Sequence, residues 1–190
     1  NEWVAQQTND RIPELLVEGT ITPDARLTLV NAIYLKANWA TTFDAEQTTD
    51  EPFATPAGDV SAAMMHASAD FGYAAGQGWQ AVDLPYVFGG LSLTAALVEA
   101  DAPLPSADEV FAALAGRPVQ LSFPRFDIET SVELSRVLEA MGMPTAFSGA
   151  ADFSGMTTAA SLTIGAVVHQ ANITVDEEGT EAAAATAVVM

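Results

Sequence analysis

The end of the chain limits most strongly what these residues can fold into. Residues 180–190 consist of Thr, Ala, Val and Met with one charged residue, Glu181, and they follow Gly179. Alanine-rich sequence is typical of helices, so a solvated helical or disordered terminus is one interpretation. Read with the two-residue period of a strand, one face carries only small or β-branched side chains, those of Thr180, Ala182, Ala184, Thr186 and Val188. Such a ribbon could enter a sheet between two existing strands, with Gly179 as a pivot that lacks a Cβ atom.

The rest of the chain predicts many strands and few helices, which is typical of an α+β fold. Strands are predicted where apolar side chains alternate or run together, over residues 27–36, 60–74, 80–86, 91–99, 119–128 and 162–176. Helices are predicted over residues 1–8, 106–115 and 131–141. In the second helix, Ser106 is the expected N-cap and Glu109 stands at the capping-box position. No repeat or linker divides the chain, so we expect a single domain over residues 1–190.

The charge and composition exclude several classes of partner. Lys and Arg total 6 and Asp and Glu total 25, which gives a net charge of −19. This charge repels phosphate and anionic lipid, so nucleic acid and membrane surfaces are not expected partners.

Hydrophobic residues make up 49% of the chain, which is too many for a disordered protein. No run reaches the ~18 apolar residues of a membrane span. The absence of Cys excludes disulfides and cysteine zinc sites, and it leaves the redox compartment open.

Motifs that would carry enzyme chemistry fail or are missing. Residues 76–81 match the G-x-G-x-x-A dinucleotide fingerprint, but strand-like residues follow where a helix is required, so we expect a hairpin turn. His66 and His169 are the only histidines, and neither has a carboxylate at ligand spacing, so no metal site or histidine-based triad is expected. No cofactor is expected. Asn172 begins a glycosylation sequon, a three-residue match that leaves glycosylation open.

Two polar residues interrupt otherwise apolar strand faces. Asn31 lies between Leu29 and Ile33, and His169 lies on the apolar face of the last strand before the tail. A buried polar group without a partner costs ~1–3 kcal/mol, so each needs a hydrogen-bond partner. Either the two bind unrelated backbone groups, or they share a network between neighbouring strands. The alternate residues of the later strand are predicted to face solvent, and they are Gln170, Asn172, Thr174 and Asp176.

Motifs along essentially the whole chain resemble those of serpins, in the family's order. They are residues 31–39 followed by Phe43, then residues 64–65, 82–86, 123–126, 138–142, 151–155, 168–171 and 176–186. The resemblance implies the serpin fold, which has three β-sheets with surrounding helices. Here the chain would cover only the part from the family's helix F to the hinge of the reactive-centre loop. Further helices are then expected before Asn1 and further strands after Met190, so we expect a fragment or a processed chain that completes its fold with the remainder of the same protein.

The resemblance also implies a function. Serpins are suicide-substrate inhibitors of serine proteases, and some members take cysteine proteases. A protease cuts the exposed loop, and the freed hinge inserts into β-sheet A before the acyl-enzyme is hydrolysed. Inhibition, with no enzyme activity, is therefore expected. The alternative is a non-inhibitory serpin that acts as a carrier, chaperone or storage protein. The compartment stays open, with a secreted or extracytoplasmic location favoured.

Roles for individual residues follow from the same resemblance. The hinge would comprise Glu177, Gly179, Thr180, Glu181, Ala182, Ala183, Ala184, Ala185 and Thr186. Asn31 and His169 would form the shutter, the polar latch where two strands of the sheet part. Trp39, Arg125 and Glu177 would form the breach, the point at which insertion begins, with the last two as an ion pair. The scissile bond would lie beyond Met190, so the target protease cannot be read from these residues.

Overall fold

The structure is a computed structural model that describes all 190 residues. Two compact units are formed, and both are discontinuous in sequence. The first unit comprises Asn1–Leu35, Asp127–Ile173 and Glu181–Met190, and the second comprises Lys36–Phe126 and Thr174–Thr180. No helix combines the length and the apolar character that are needed to cross a membrane.

Strands dominate the secondary structure. In chain order, the elements are α1 (Glu2–Gln7), β1 (Thr28–Asn38), β2 (Thr49–Thr55), β3 (Gly58–Gly76), β4 (Trp79–Pro85), β5 (Ser92–Val98), α2 (Ala107–Ala113), β6 (Ala115–Pro124), β7 (Phe126–Glu133), α3 (Ser135–Ala140), β8 (Ala166–Val175) and β9 (Gly179–Val189), with short 3-10 helices at Ala45–Gln47 and Pro144–Phe147. The α+β prediction is confirmed.

The terminal residues form β9, which lies inside a four-stranded sheet of order β1-β9-β8-β7. Hydrogen bonds at the start of β9 join Trp39 N to Glu178 O at 2.9 Å, and bonds at its end join Leu27 and Met190 in both directions. The start of β9 thus lies beside the end of β1, so the two strands are antiparallel. The prediction of a helical or disordered terminus is wrong, because backbone pairing on both edges outweighs the modest helix preference of alanine.

The second sheet contains five strands, in the order β2-β3-β4-β5 with β6 paired to β3. Met64 of β3 is opposite both Thr49 of β2 and Pro124 of β6, so β2 and β6 lie on opposite edges of β3. The strand β3 is 19 residues long and pairs with β2 at one end and with β4 at the other. The three sheets that the resemblance implies are therefore seen as two hydrogen-bonded sheets here.

Several predicted elements are confirmed and two need correction. The α2 helix has Ser106 as its N-cap, whose hydroxyl accepts a hydrogen bond from Glu109 N at 3.2 Å. The G-x-G-x-x-A segment is the turn between β3 and β4, as predicted. The predicted strand over 119–128 is two strands, because the chain leaves its pairing with β3 at Pro124 and β7 joins the other sheet. Because β7 continues to Glu133, the predicted helix over 131–141 is reduced to Ser135–Ala140.

The core of the first unit lies between α1, the turn after it and one face of β9. Val4, Ile12 and Leu15 pack there against the alanines of β9, which are Ala183, Ala185 and Ala187. Within these 190 residues this face of β9 is more buried than the opposite one, whose members are half-buried apart from the buried Thr180. The period-two prediction is confirmed, and the alanine face is the one that α1 and its turn cover. The reason is that alanine side chains are small enough for α1 and its turn to lie directly against the strand.

The strand β1 also has only one of its faces covered within these residues. Its face with Leu29, Asn31 and Ile33, predicted to be buried, is exposed, and Ile33 retains 63% of its accessible surface. The opposite face packs against the core through Ala32 and Tyr34. Hydropathy alternation alone therefore identified the strand but not the face that α1 and its turn cover.

Candidate functional site

The β8–β9 connection is a tight turn, here called the hinge turn, residues 176–180. The Asp176 carboxylate accepts hydrogen bonds from Glu178 N at 2.9 Å and Gly179 N at 3.0 Å. Gly179 is needed for space, since a Cβ atom at this position would lie 2.1 Å from the Ala37 carbonyl oxygen of β1. Its φ angle is not among the positive values, so close approach of two strands explains the glycine.

Trp39 fixes the hinge turn from the neighbouring strand. Its indole Nε1 donates a hydrogen bond to Asp176 O at 2.9 Å, and its ring stacks on that of Tyr86 with centroids 5.0 Å apart. The side chain is 2% exposed. The sequence indicated Trp39, but the contribution of Tyr86 could be found only in the structure, because the two residues come from distant segments of the chain.

The Glu177 carboxylate has two partner residues in the second unit. Its carboxylate accepts a hydrogen bond from the Thr48 hydroxyl at 2.7 Å and lies 3.7 Å from Arg125 Nη1, with its side chain 13% exposed. Burial alone raises the pKa of Glu177, but the Thr48 hydroxyl, the backbone amide of Glu177 and the Arg125 charge together place that pKa below its ordinary value. Thr48 was not predicted, and no sequence pattern indicates it.

Asn31 and His169 are not brought together. They lie on β1 and β8, which are separated by β9. His169 instead forms a 2.7 Å hydrogen bond between Nδ1 and the Thr186 hydroxyl of β9, whereas Asn31 is exposed. The hypothesis that the two share a network between neighbouring strands is wrong for this structure, because the strand between them supplies the partner of His169.

The face of β8 that was predicted to contact solvent is largely covered. Gln170 is buried and donates to Glu129 Oε1 at 2.7 Å. Asn172 is half-buried, and its side-chain amide donates to the Arg11 carbonyl oxygen at 2.6 Å. The sequon amide is therefore engaged by the turn after α1, which argues against a glycan at Asn172.

His66 has a carboxylate partner that its sequence spacing did not predict. Its Nε2 lies 2.9 Å from Glu51 Oε1, and its Nδ1 lies 3.0 Å from the Ser122 hydroxyl. Sequence spacing did not reveal the carboxylate, because the three residues lie on the adjacent strands β2, β3 and β6. The line of contacts ties these strands together across the face of the sheet.

Comparison with known proteins identifies the family. The family model described as serpin (serine protease inhibitor) matches residues 1–190. The chain belongs to the serpin family. It is 40% identical over 198 residues to an uncharacterized serpin-like protein of Thermococcus kodakarensis, covering 100% of this chain and 46% of that protein. It is also 40% identical over 203 residues to human serpin B8, covering 100% of this chain and 54% of that protein. This serpin chain thus spans about half the length of the curated relatives it matches.

Solved serpins have the same fold. The structure matches cleaved serpin 42Da with a TM-score of 0.94 at 34% identity, covering 100% of this chain and 54% of that one. It matches ovalbumin from emu with a TM-score of 0.90 at 29% identity, covering 100% of this chain and 52% of that one. The residues that the resemblance assigns to the serpin hinge lie in the hinge turn and in β9, within the four-stranded sheet.

Proposed function

We propose that this serpin is a suicide-substrate inhibitor of serine proteases, which traps them by inserting its cleaved reactive loop into the four-stranded sheet. One observation carries the proposal: β9 lies between β1 and β8. β9 is formed by the expected hinge residues, so these side chains are compatible with a central strand position. The match to cleaved serpin 42Da at a TM-score of 0.94 also supports a central position for this strand.

The proposed reaction begins on a loop outside the sheet. The protease serine attacks the carbonyl carbon of the scissile bond beyond Met190, forms an ester with the loop, and releases the new amino terminus with its proton. The freed segment then enters between β1 and β8. The attached protease is dragged along and distorted before water hydrolyses the ester. Hydrolysis and insertion therefore compete, and the outcome depends on how readily the hinge enters the sheet.

The energy for this competition would come from pairing and burial. The strand β9 contains 11 residues, and ~0.5–1.5 kcal/mol per new hydrogen bond amounts to on the order of 10 kcal/mol. Burial of the alanine face adds to this. The sum is comparable with the whole folding stability of a typical domain, ~5–15 kcal/mol, so insertion could drive a large conformational change.

The composition of β9 favours an inhibitor over the non-inhibitory alternative. A proline would remove a ladder donor and a bulky charged side chain would have to be desolvated, but β9 has no proline and only Glu181 is charged. Serpins of carrier type share the fold, since the chain also matches thyroxine-binding globulin complexed with thyroxine-fluorescein at a TM-score of 0.86 and 27% identity. A carrier, chaperone or storage role is therefore the alternative.

We further propose that these residues act together with preceding helices and following strands of the same protein. Exposed apolar side chains on β1, such as Leu29 and Ile33, support this, since such surface is usually covered. A serine protease is the proposed partner, and a cysteine protease is the alternative partner.

The test uses the protein expressed with the segments that flank these residues in its gene. It is incubated with a panel of serine proteases, and complexes are resolved in SDS. We expect a covalent complex with at least one protease, and a higher melting temperature after loop cleavage. If no protease gives an SDS-resistant complex and cleavage leaves the melting temperature unchanged, the inhibitor proposal is rejected.

A further inference from the structure

Glu181 is the only charged residue of β9, and both of its carboxylate oxygens are paired. Oε1 accepts a hydrogen bond from the Tyr34 hydroxyl at 2.6 Å, and Oε2 accepts one from Arg11 Nη2 at 2.6 Å. The Glu181 side chain is 18% exposed. Desolvating a carboxylate is costly unless charged or hydrogen-bonding partners replace the water. The two donors therefore offset the desolvation of the one charged group in the strand.

The position of Arg11 is fixed by its own turn. Asn9 and Asp10 adopt positive φ angles of 51° and 60°, a region that these two residue types tolerate. The Arg11 carbonyl oxygen accepts the Asn172 amide at 2.6 Å, and Ile12 is fully buried in the core of the first unit. The guanidinium thus projects from an ordered segment, which lowers the entropy lost when it pairs.

Electrostatics make this pairing unusual for the chain. The sequence has 6 Lys and Arg residues against 25 Asp and Glu residues, so most carboxylates of the chain cannot each have a cation of their own. The hydrogen bond to Glu181 raises the pKa of Arg11 above its ordinary value, and the hydrogen bond from Tyr34 to Glu181 raises the pKa of the Tyr34 hydroxyl. Both donors are thus held in their protonated forms by the carboxylate.

We propose that Arg11 and Tyr34 are positioning residues that form a clamp for Glu181, which receives this carboxylate when the loop inserts and holds the inserted strand in place. The clamp rests on the proposed function, since it requires that Glu181 lies in water before cleavage. It would add a directed, charge-dependent contact to the otherwise apolar packing of the alanine face. It would therefore stabilise the inserted state selectively, rather than the fold in general.

The test compares cleaved and uncleaved forms of the protein with its flanking segments present. The variants are Glu181→Gln, Tyr34→Phe and Arg11→Gln. The melting temperature of each variant is measured at a fixed guanidinium concentration. We expect the cleaved form of each variant to melt about 2–4 °C lower than the wild type, with the uncleaved form unchanged. The double variant Glu181→Gln with Tyr34→Phe should lose less than the sum of the two single losses, because both changes act on the same contact.

Matched controls separate the clamp from general effects. Tyr73→Phe removes a hydroxyl that binds Gln80, and Arg26→Gln removes a guanidinium that binds the carbonyl oxygens of Pro23 and Ala25. Neither should change the difference between the two forms. Arg11→Lys keeps the charge and should restore part of the loss.

The outcomes distinguish the clamp from the proposed function. If the wild type gains no stability on cleavage, loop insertion itself is refuted and the clamp with it. If the wild type gains stability and Glu181→Gln leaves that gain intact, the clamp is refuted and insertion stands. Equal losses in both forms would also refute the clamp, since they would indicate a purely structural contact. Glu181→Gln gives an answer even if Arg11→Gln does not fold, because it leaves Arg11 and the turn that carries it unchanged.

Discussion

The hinge turn and the rest of β9, here called the strand body, residues 181–189, are held by different kinds of contact. In the hinge turn, the Asp176 carboxylate, the Trp39 indole and a close approach to Ala37 each define one geometry. In the strand body, alternate small side chains are buried against α1 and its turn, and few of their contacts are directional. Under the proposed function, we infer that the hinge turn would decide whether the strand can enter the sheet, and that the strand body would supply most of the energy.

The largest effect is expected at Thr180, the last residue of the hinge turn. Its side chain is 3% exposed, so Thr180→Arg would bury an unpaired charge and should cost on the order of 3–5 kcal/mol in the inserted form. We expect the variant to become a protease substrate, with cleavage but no SDS-resistant complex. Thr158→Arg adds the same charge at an exposed position and should leave inhibition unchanged. Unaltered inhibition by Thr180→Arg would contradict the role of the hinge turn.

The same position offers a change in the opposite direction. The Thr180 hydroxyl is buried without a hydrogen-bond partner. Thr180→Val keeps the shape and removes this unpaired group, so the cleaved form should gain about 1 kcal/mol. Guanidinium unfolding of the cleaved protein measures the gain, and a loss would show that the hydroxyl has a partner in solution.

Gly179→Ala is expected to have the next largest effect. The added methyl group would meet the Ala37 carbonyl oxygen, so the two strands would have to separate at a cost of about 3 kcal/mol. The stability of the cleaved form and the fraction of protease trapped should both fall. Gly149→Ala is the control, since a Cβ atom there meets nothing within 4 Å. Equal behaviour of the two variants would show that the hinge turn adapts.

A smaller effect is expected in the strand body at the His169–Thr186 hydrogen bond. His169→Ala leaves the Thr186 hydroxyl unpaired and should cost about 1–2 kcal/mol in the cleaved form. His66→Ala, which removes the contacts to Glu51 and Ser122, should affect both forms alike. If His169→Ala were as damaging as Gly179→Ala, the distinction between hinge turn and strand body would fail.

The smallest effect concerns the pH dependence of the hinge turn. The pKa of Glu177 lies below the ordinary 4.5, so its contribution to stability is present above pH 4.5 and is lost as the pH falls through the lower, folded value. Thr48→Val removes one hydrogen bond to the carboxylate and should weaken this dependence. Unfolding of the cleaved form between pH 7 and pH 3 measures it. Thr55→Val, whose hydroxyl binds a backbone carbonyl, should retain the wild-type profile.

Local patterns predicted local features well. The α2 cap follows from Ser106 and Glu109 being three residues apart, and the hairpin at residues 76–79 follows from its glycines. The predicted helix over 131–141 was too long because its first residues belong to β7, and pairing with β8 outweighs their helical spacing. Trp39, Arg125 and Glu177, which the family resemblance assigns to the breach, could be named only through that resemblance. Their partners Thr48 and Tyr86 come from other segments and were missed.

The sequence by itself determined that the terminus has strand periodicity, small side chains and a single charge, because these properties depend only on the order of residues. The tertiary structure decided which face of that strand α1 and its turn cover. It also decided that Thr186 is the hydrogen-bond partner of His169, and that Arg11 and Tyr34 are the partners of Glu181. These outcomes depend on which segments pack together, and partners up to 170 residues apart share no local pattern. A period of two identifies two faces, but only the segments packed against the strand distinguish them.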